Sequence, residues 1–290
     1  MPELTNLSVI RELCKKYDFA LSKDFGQNFI INPSVCPRIV DAAGIDSRYG
    51  VIEIGPGIGV LTQELAKRAG KVVAIEVDDR LPPLLEETLA EFDNVKVILG
   101  DVLKTDLAAL IEEEFAHMSV AVCANLPYYI TSPIIMQLLK SHLPIESITV
   151  MVQKEAGERL AAVPGSRESS AISCAVQYYA KPKLLFSVQP GSFYPAPKVT
   201  SAVVRMELRA APAVCVPDEN DYFALIRAAF GQRRKTAANA IASGLGMPKE
   251  QVKAALTDAG LDINIRPERL TLEDFAALDA ALRVRRGTEI

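Results

Sequence analysis

The stretch from Val51 to Gly59, with the sequence VIEIGPGIG, constrains the fold of this chain more than any other segment. A short apolar run of mostly β-branched residues ends abruptly at Gly55, and helical spacing begins at Val60. This order predicts a buried strand, a glycine turn and a helix N-terminus. In an open α/β sheet such a turn lies at the carboxyl end of a strand, where glycines let a ligand approach the backbone and unpaired helix N–H groups face it.

The spacing of the glycines separates three classes of ligand. The dinucleotide fingerprint G-x-G-x-x-G does not fit, because Val60 stands where its third glycine is required, and the P-loop's Gly-Lys-Ser/Thr is missing from the motif. What remains is G-x-G-x-G, with the acid Glu53 two residues ahead of it. This pattern resembles the first motif of S-adenosylmethionine-dependent methyltransferases, although a plain glycine-rich βα turn has a similar pattern.

Strand-like runs alternate with helical patterns through the first two thirds of the chain. The further β-rich runs are 71–77, 95–99, 120–124 and 148–152. This alternation predicts an α/β fold with a parallel, doubly wound sheet. Two more strand runs, at 184–188 and 200–208, are expected to close the sheet in antiparallel fashion, and every pattern beyond residue 210 is helical. We therefore expect a Rossmann-like α/β domain over residues 1–209 and a smaller all-helical domain over residues 210–290.

Acidic side chains follow two of the predicted strands at the edge where the glycine turn lies. Glu76 closes the second strand and Asp101 follows the third. A carboxylate at Glu76 can accept hydrogen bonds from ribose hydroxyls, and one at Asp101 can accept from an adenine amino group. Each acid alone is typical of a solvated loop. Together with the glycine turn, the pair favours a site for an adenosine-containing cofactor.

The fourth strand ends in Asn125-Leu126-Pro127-Tyr128, the most specific chemical signal in the chain. It resembles the Asn-x-Pro-Tyr motif of methyltransferases that act on exocyclic amino groups. An adenine N6 amine is a poor nucleophile because its lone pair is delocalised into the ring. Acceptors at the Asn125 side chain and the Leu126 carbonyl would favour the pyramidal amine, and Tyr128 can stack on the base. Standing alone, the motif also fits a Pro-Tyr turn packed against the core.

Nearly the whole chain resembles the ribosomal small-subunit RNA adenine dimethyltransferases, a family of class I methyltransferases. The resemblance implies S-adenosylmethionine-dependent N6,N6-dimethylation of two adjacent adenosines near the 3′ end of small-subunit (16S) ribosomal RNA, coupled to subunit maturation. It implies cofactor contacts from Gln27, Asn28, Ile30, Gly55, Gly57, Glu76, Asp101 and Asn125. It also implies a target site in which Phe193 faces the flipped adenine opposite Tyr128, with Asn125 and Leu126 holding the amine.

The overall charge of the chain does not indicate that it binds nucleic acid, because the net charge is −4 and the pI is about 5.5. The resemblance extends to the segment that begins at Phe230, however, and cations concentrate there. The residues expected to contact RNA phosphates are Arg227, Arg233, Arg234 and Lys235. The expected partner is small-subunit ribosomal RNA or the precursor of the 30S particle.

Other functional classes are not supported by the sequence. The five cysteines and two histidines lack metal-site spacing, so no metal is expected. No apolar run approaches the roughly 20 residues that a membrane span needs, so we expect no membrane partner and a cytoplasmic location.

Two alternative functions stay open. One is a large-subunit (23S) RNA adenine N6-methyltransferase of the antibiotic-resistance type, which shares the fold and the Asn-x-Pro-Tyr motif. The other is a non-catalytic RNA-binding factor in ribosome assembly. The Arg-Arg-Lys-Thr element and the helical tail favour the small-subunit function, and the intact Asn125, Tyr128 and Gly55 argue against a loss of activity.

Overall fold

A computed structural model describes residues 3–20, 27–232 and 234–286 of the chain. Within these ranges the strands are β1 (Phe29–Ile30), β2 (Tyr49–Ile54), β3 (Lys71–Glu76), β4 (Val95–Leu99), β5 (Ser119–Asn125), β6 (Ile145–Gln153), β7 (Ala180–Val188), β8 (Phe193–Tyr194) and β9 (Ser201–Leu208).

Helices separate most of these strands and follow the last one. Those described are α1 (Leu7–Lys16), α2 (Val35–Ala43), α3 (Val60–Ala66), α4 (Pro82–Thr88), α5 (Leu107–Glu114), α6 (Thr131–Lys140), α7 (Lys154–Ala161), α8 (Ala171–Tyr179), α9 (Glu219–Phe230), α10 (Ala237–Leu245), α11 (Lys249–Asp258) and α12 (Leu272–Arg286). In the described part of the chain, no helix combines the length and apolar character that crossing a membrane requires.

The main sheet has the strand order β4-β3-β2-β5-β6-β9-β7. Strands β2 to β6 pair in parallel, and β9 pairs antiparallel with β6. The predicted α/β sheet, mostly parallel and doubly wound, with a smaller helical part at the carboxyl end, is confirmed. The order changes direction between β2 and β5, so the ends of these two strands form the switch point at which open α/β sheets bind ligands.

The central strands are apolar because both of their faces are covered. In β2, Val51 and Ile52 are fully buried, as are Val72 and Val73 in β3. Parallel strands with helices on both sides show such continuous apolar runs, whereas half-exposed strands alternate. This explains why the sequence marks these strands clearly.

Contacts divide the chain into two compact units. The described residues of the first, the sheet unit, fall within Met1–Gly157 and Pro182–Leu208, and those of the second, the helical unit, fall within Glu158–Lys181 and Arg209–Ile290. The predicted division into a domain over residues 1–209 and a helical domain over residues 210–290 stays a prediction. The compact units differ from it because residues 158–181 associate with the later helices.

An aromatic cluster explains this association within the helical unit. The rings of Tyr178 and Phe223 are 5.1 Å apart and those of Tyr179 and Phe223 are 5.5 Å apart, which joins α8 to α9. Both tyrosine hydroxyls also donate to the Glu219 carboxylate, at 3.1 and 2.7 Å. Aromatic contacts between residues some 40 positions apart carry no local sequence signal.

Candidate active site

The glycine turn after β2 has a backbone that only glycine adopts readily. Gly55, Gly57 and Gly59 have φ values of 69°, 58° and 93°, all in the left-handed region. A Cβ on Gly57 would lie 3.3 Å from the Phe29 ring, whereas a Cβ on Gly55 would meet nothing within 4 Å. The turn therefore presents bare backbone to open space beside Gly55.

Glu76, at the end of β3, faces this turn with a fixed carboxylate. Its Oε2 accepts from the Gly57 N–H at 3.2 Å, and its Oε1 accepts from the Val77 and Asp78 N–H groups at 2.8 Å each. Burial raises the pKa of Glu76, against the opposing effect of these backbone donors. A carboxylate has about four acceptor positions, so Glu76 can still accept from a ribose hydroxyl.

Glu53 is a second carboxyl in this region, and it is only 1% exposed. Its Oε2 has no hydrogen-bond partner among the residues that the structure describes. Burial, with a smaller contribution from the charge of Glu76, raises the pKa of Glu53 to about 8. The Glu53 carboxyl therefore holds a proton near neutral pH. The position of Glu53 in the motif gives no sign of this protonation, because it depends on burial by the folded chain.

The segment around Phe29 lies over the glycine turn and pairs with the loop that contains Phe193. Strands β1 and β8 form an antiparallel ribbon in which Phe29 faces Tyr194 and Ile30 faces Phe193. The Ile31 N–H continues the pairing by donating to the Ser192 carbonyl at 2.9 Å. The predicted cofactor segment is thus hydrogen-bonded to the predicted target-side loop.

Gln27, at the start of this segment, donates from its side-chain amide to Asp78 Oδ2 at 2.8 Å. Asp78 follows the strand that ends in Glu76. This bond ties the segment to the same edge of the sheet as the two acids.

The Asn-Leu-Pro-Tyr motif lies at the neighbouring strand end. Asn125 is the last residue of β5 and pairs with Met151 of β6, and the Leu126 N–H donates to the Met151 carbonyl at 3.1 Å. The chain then turns, and the Tyr128 hydroxyl lies 2.8 Å from Ser201 Oγ. No pattern in the sequence marks Ser201 as a partner of Tyr128.

These elements enclose a cleft of about 830 Å³, part of it open to solvent, which we call the glycine-turn cleft. The predicted site residues that line it are Gln27, Asn28, Ile30, Gly55, Gly57, Glu76, Asn125, Leu126, Tyr128 and Phe193. Lining residues that were not assigned a role from the sequence include Phe29, Val77 and Tyr129.

Asp101 is the predicted cofactor residue that does not line this cleft. It lies at the same sheet edge, since the neighbouring Gly100 donates its N–H to the Glu76 carbonyl at 2.7 Å. The Asp101 carboxylate accepts from the Leu103 N–H at 3.0 Å and lies 3.7 Å from Lys104 Nζ. Its predicted contact with an adenine amino group stays a prediction.

The predicted RNA-binding residues belong to the helical unit. Arg227 is in the last turn of α9, and Arg234 and Lys235 are exposed in the loop before α10; Arg233 lies outside the described residues. Arg227 borders an open groove floored by small residues of α9 and α10, where a Cβ on Gly244 would come within 2.6 Å of the Ala228 side chain. We call Arg227, Arg234 and Lys235 the helical-unit cations.

None of the helical-unit cations forms an ion pair with any carboxylate in the described part of the chain. Arg283 of the same unit differs from them, because it forms ion pairs with Asp279 and Asp221 at 3.0 and 2.7 Å. Across residues 3–20, 27–232 and 234–286, no group of three or more His, Cys, Asp or Glu side chains is arranged to hold a metal ion.

Comparisons with known proteins agree on one family. The model of the family described as ribosomal RNA adenine dimethylase matches residues 19–282. A Bacillus licheniformis protein named ribosomal RNA small subunit methyltransferase A is 49% identical over 277 residues, covering 94% of this chain and 95% of the relative. A protein of the same name from Alkaliphilus oremlandii is 45% identical over 279 residues, covering 96% and 97%.

Two solved structures are similar over most of the chain. A dimethyladenosine transferase from Plasmodium falciparum has a TM-score of 0.70 at 27% identity, covering 89% of this chain and 98% of that one. The 23S rRNA methyltransferase ErmE has a TM-score of 0.67 at 27% identity, covering 88% and 99%.

Proposed function

The chain belongs to the ribosomal RNA adenine dimethylase family, and from this premise we propose that it dimethylates N6 of two adjacent adenosines near the 3′ end of small-subunit (16S) ribosomal RNA. It is a methyltransferase with a Rossmann-like fold. The observation that carries the proposal is the glycine-turn cleft, because it unites the turn, Glu76 and the Asn125–Tyr128 motif at one switch point.

The proposed methyl donor is S-adenosylmethionine, which supplies a methyl group already activated by a sulfonium. The open space beside Gly55 and the three N–H groups that orient the Glu76 carboxylate fit an adenosine-containing ligand. Gly55 and Gly57 would offer backbone to it, Glu76 would accept from its ribose, and Asp101 would accept from its adenine. Gln27, Asn28 and Ile30 would cover it from the ribbon side.

Asn125 and Leu126 would hold the target amine. The Asn125 side-chain oxygen and the Leu126 carbonyl accept from the two N–H bonds of N6, which favours the pyramidal geometry that the amine adopts as it attacks. Tyr128 and Phe193 would stack on opposite faces of the flipped adenine. No strong general base is required, because the proton can leave the nitrogen after attack on the activated methyl group.

The helical-unit cations would contact RNA phosphates. Arg227, Arg234 and Lys235 form no ion pair within the described residues, and on a protein of net charge −4 such cations favour a local anionic partner rather than a general attraction to polyanions. The division of labour that we propose is cofactor binding and catalysis in residues 1–209 and RNA binding in residues 210–290. The physiological substrate would be a precursor of the small subunit in the cytoplasm, which makes the enzyme part of rRNA processing and ribosome biogenesis.

The 23S alternative is less well supported. Relatives named for the small subunit share 45 to 49% of residues with this chain over most of their length, whereas the 23S enzyme shares 27%. The non-catalytic alternative would not require Asn125, Leu126, Tyr128 and Phe193 to line one cleft, yet they do.

Transfer of labelled methyl groups from S-adenosylmethionine to unmethylated small subunits tests the proposal, with large subunits as the comparison. We expect N6,N6-dimethyladenosine only in small-subunit RNA, approaching four methyl groups per particle. Asn125→Ala should reduce turnover by roughly a hundredfold or more while the affinity for S-adenosylhomocysteine changes little. Asn220→Ala, an exposed asparagine of α9, is the matched control. Label in large-subunit RNA would instead support the 23S function, and no label in either would refute the substrate assignment.

A further inference from the structure

Tyr128 is held at its tip by a residue from a distant strand. Its hydroxyl oxygen lies 2.8 Å from Ser201 Oγ, and the Ser201 side chain is fully buried. Tyr128 itself stands on a loop, so its two side-chain torsions are not fixed by secondary structure. A hydrogen bond at the far end of the ring restricts both torsions at once. Burial raises the pKa of Tyr128 above its ordinary value.

The antiparallel direction of β9 brings Ser201 to this position. Parallel strands all end at the edge of the sheet that binds ligands, so the first residue of another parallel strand would lie at the opposite edge. Because β9 runs the other way, its first residue, Ser201, pairs with Gln153, the last residue of β6. The loop after β5 passes the end of β6 and reaches Ser201.

We propose that Ser201 is a positioning residue, which holds the Tyr128 ring in the orientation that stacks on the target adenine. The inference rests on the proposed function, because it assumes that the base bound beside Tyr128 is the methyl acceptor. Ser201 is not among the residues that line the cleft, so it would act through its hydrogen bond to Tyr128. Its hydroxyl is buried, so water does not replace Tyr128 as its partner.

The two ends of the hydrogen bond can be removed separately. Ser201→Ala deletes the partner of Tyr128, and Tyr128→Phe deletes the hydroxyl while keeping the ring. We expect each variant to lower kcat/KM for small subunits roughly threefold to tenfold, as loss of one net hydrogen bond would. The kcat/KM of the double variant should be no lower than that of the less active single variant, because both substitutions remove the same interaction.

A control and a second measurement separate positioning from general damage. Ser147→Ala removes another buried serine of the same strand pair, opposite Glu207 at the far end of β6, and should keep parental activity. Affinity for S-adenosylhomocysteine should stay within twofold in all variants, since the bond lies on the target side of the cleft.

Multiplicative losses in the double variant, or parental kcat/KM in Ser201→Ala, would overturn the role of Ser201. These outcomes are distinct from a failure of the proposed function. If the parental enzyme does not methylate small-subunit adenosine at all, the substrate is wrong, whatever the variants do.

Discussion

Replacing Glu53 with glutamine should stabilise the protein at alkaline pH and change little at acid pH. Glu53 is 1% exposed, and its Oε2 has no partner among the described residues. Burial raises its pKa from 4.5 to about 8. The folded protein therefore binds this proton more tightly than the unfolded chain does between these two pH values.

The sign and size of the effect follow from this difference. The free energy of unfolding of the parental protein falls as pH rises from about 4.5 to about 8, because the unfolded chain releases the Glu53 proton in this range while the folded state still holds it. A tenfold change in proton affinity corresponds to about 1.4 kcal/mol. The rise of the pKa from 4.5 to about 8 therefore lowers the free energy of unfolding by about 5 kcal/mol at alkaline pH. Glutamine has nearly the same shape and does not titrate, so Glu53→Gln avoids this loss.

Urea unfolding of the parental and variant proteins at pH 4 and at pH 8.5 measures the difference. The two proteins should have similar midpoints at pH 4, and Glu53→Gln should have the higher midpoint at pH 8.5. Glu113→Gln is the control, because the Glu113 side chain is 74% exposed and its replacement should matter little at either pH. If the stability difference between Glu53→Gln and the parent is the same at both values, burial does not govern the ionisation of Glu53.

Three further predictions concern other parts of the molecule. Gly59→Ala should lower the unfolding free energy by about 1–3 kcal/mol in urea unfolding, because φ is 93° and the new Cβ would lie 3.2 Å from Leu89. Tyr222→Phe should cost about 1–3 kcal/mol by the same measurement, because the buried hydroxyl donates to the Leu272 carbonyl at 3.0 Å. Alanine at all three helical-unit cations should weaken RNA binding and reduce the slope of log affinity against log salt by about 2, whereas alanine at the ion-paired Lys253 should not.

The glycine turn, Glu76 and Asn125 could be recognised without coordinates. Each lies at the end of a buried strand with a strong apolar signal, and the ends of parallel strands share one edge of the sheet, so their proximity follows from the chain order. Helix α5 also has a local signal, because Asp106 caps it by accepting from the Ala108 and Ala109 N–H groups, each at 3.1 Å.

The sequence by itself therefore determined the class of fold, the location of the cofactor turn and the chemistry of the motif after β5, because these depend on local patterns and on one general property of parallel sheets. Only the tertiary structure decided that Ile30 pairs with Phe193, that Ser201 meets Tyr128 and that the Glu53 side chain is almost fully buried. Two-residue strands have no periodicity, and the direction of a closing strand is not encoded near the residues that it brings together. Burial of a particular carboxyl depends on what packs over it from the rest of the chain.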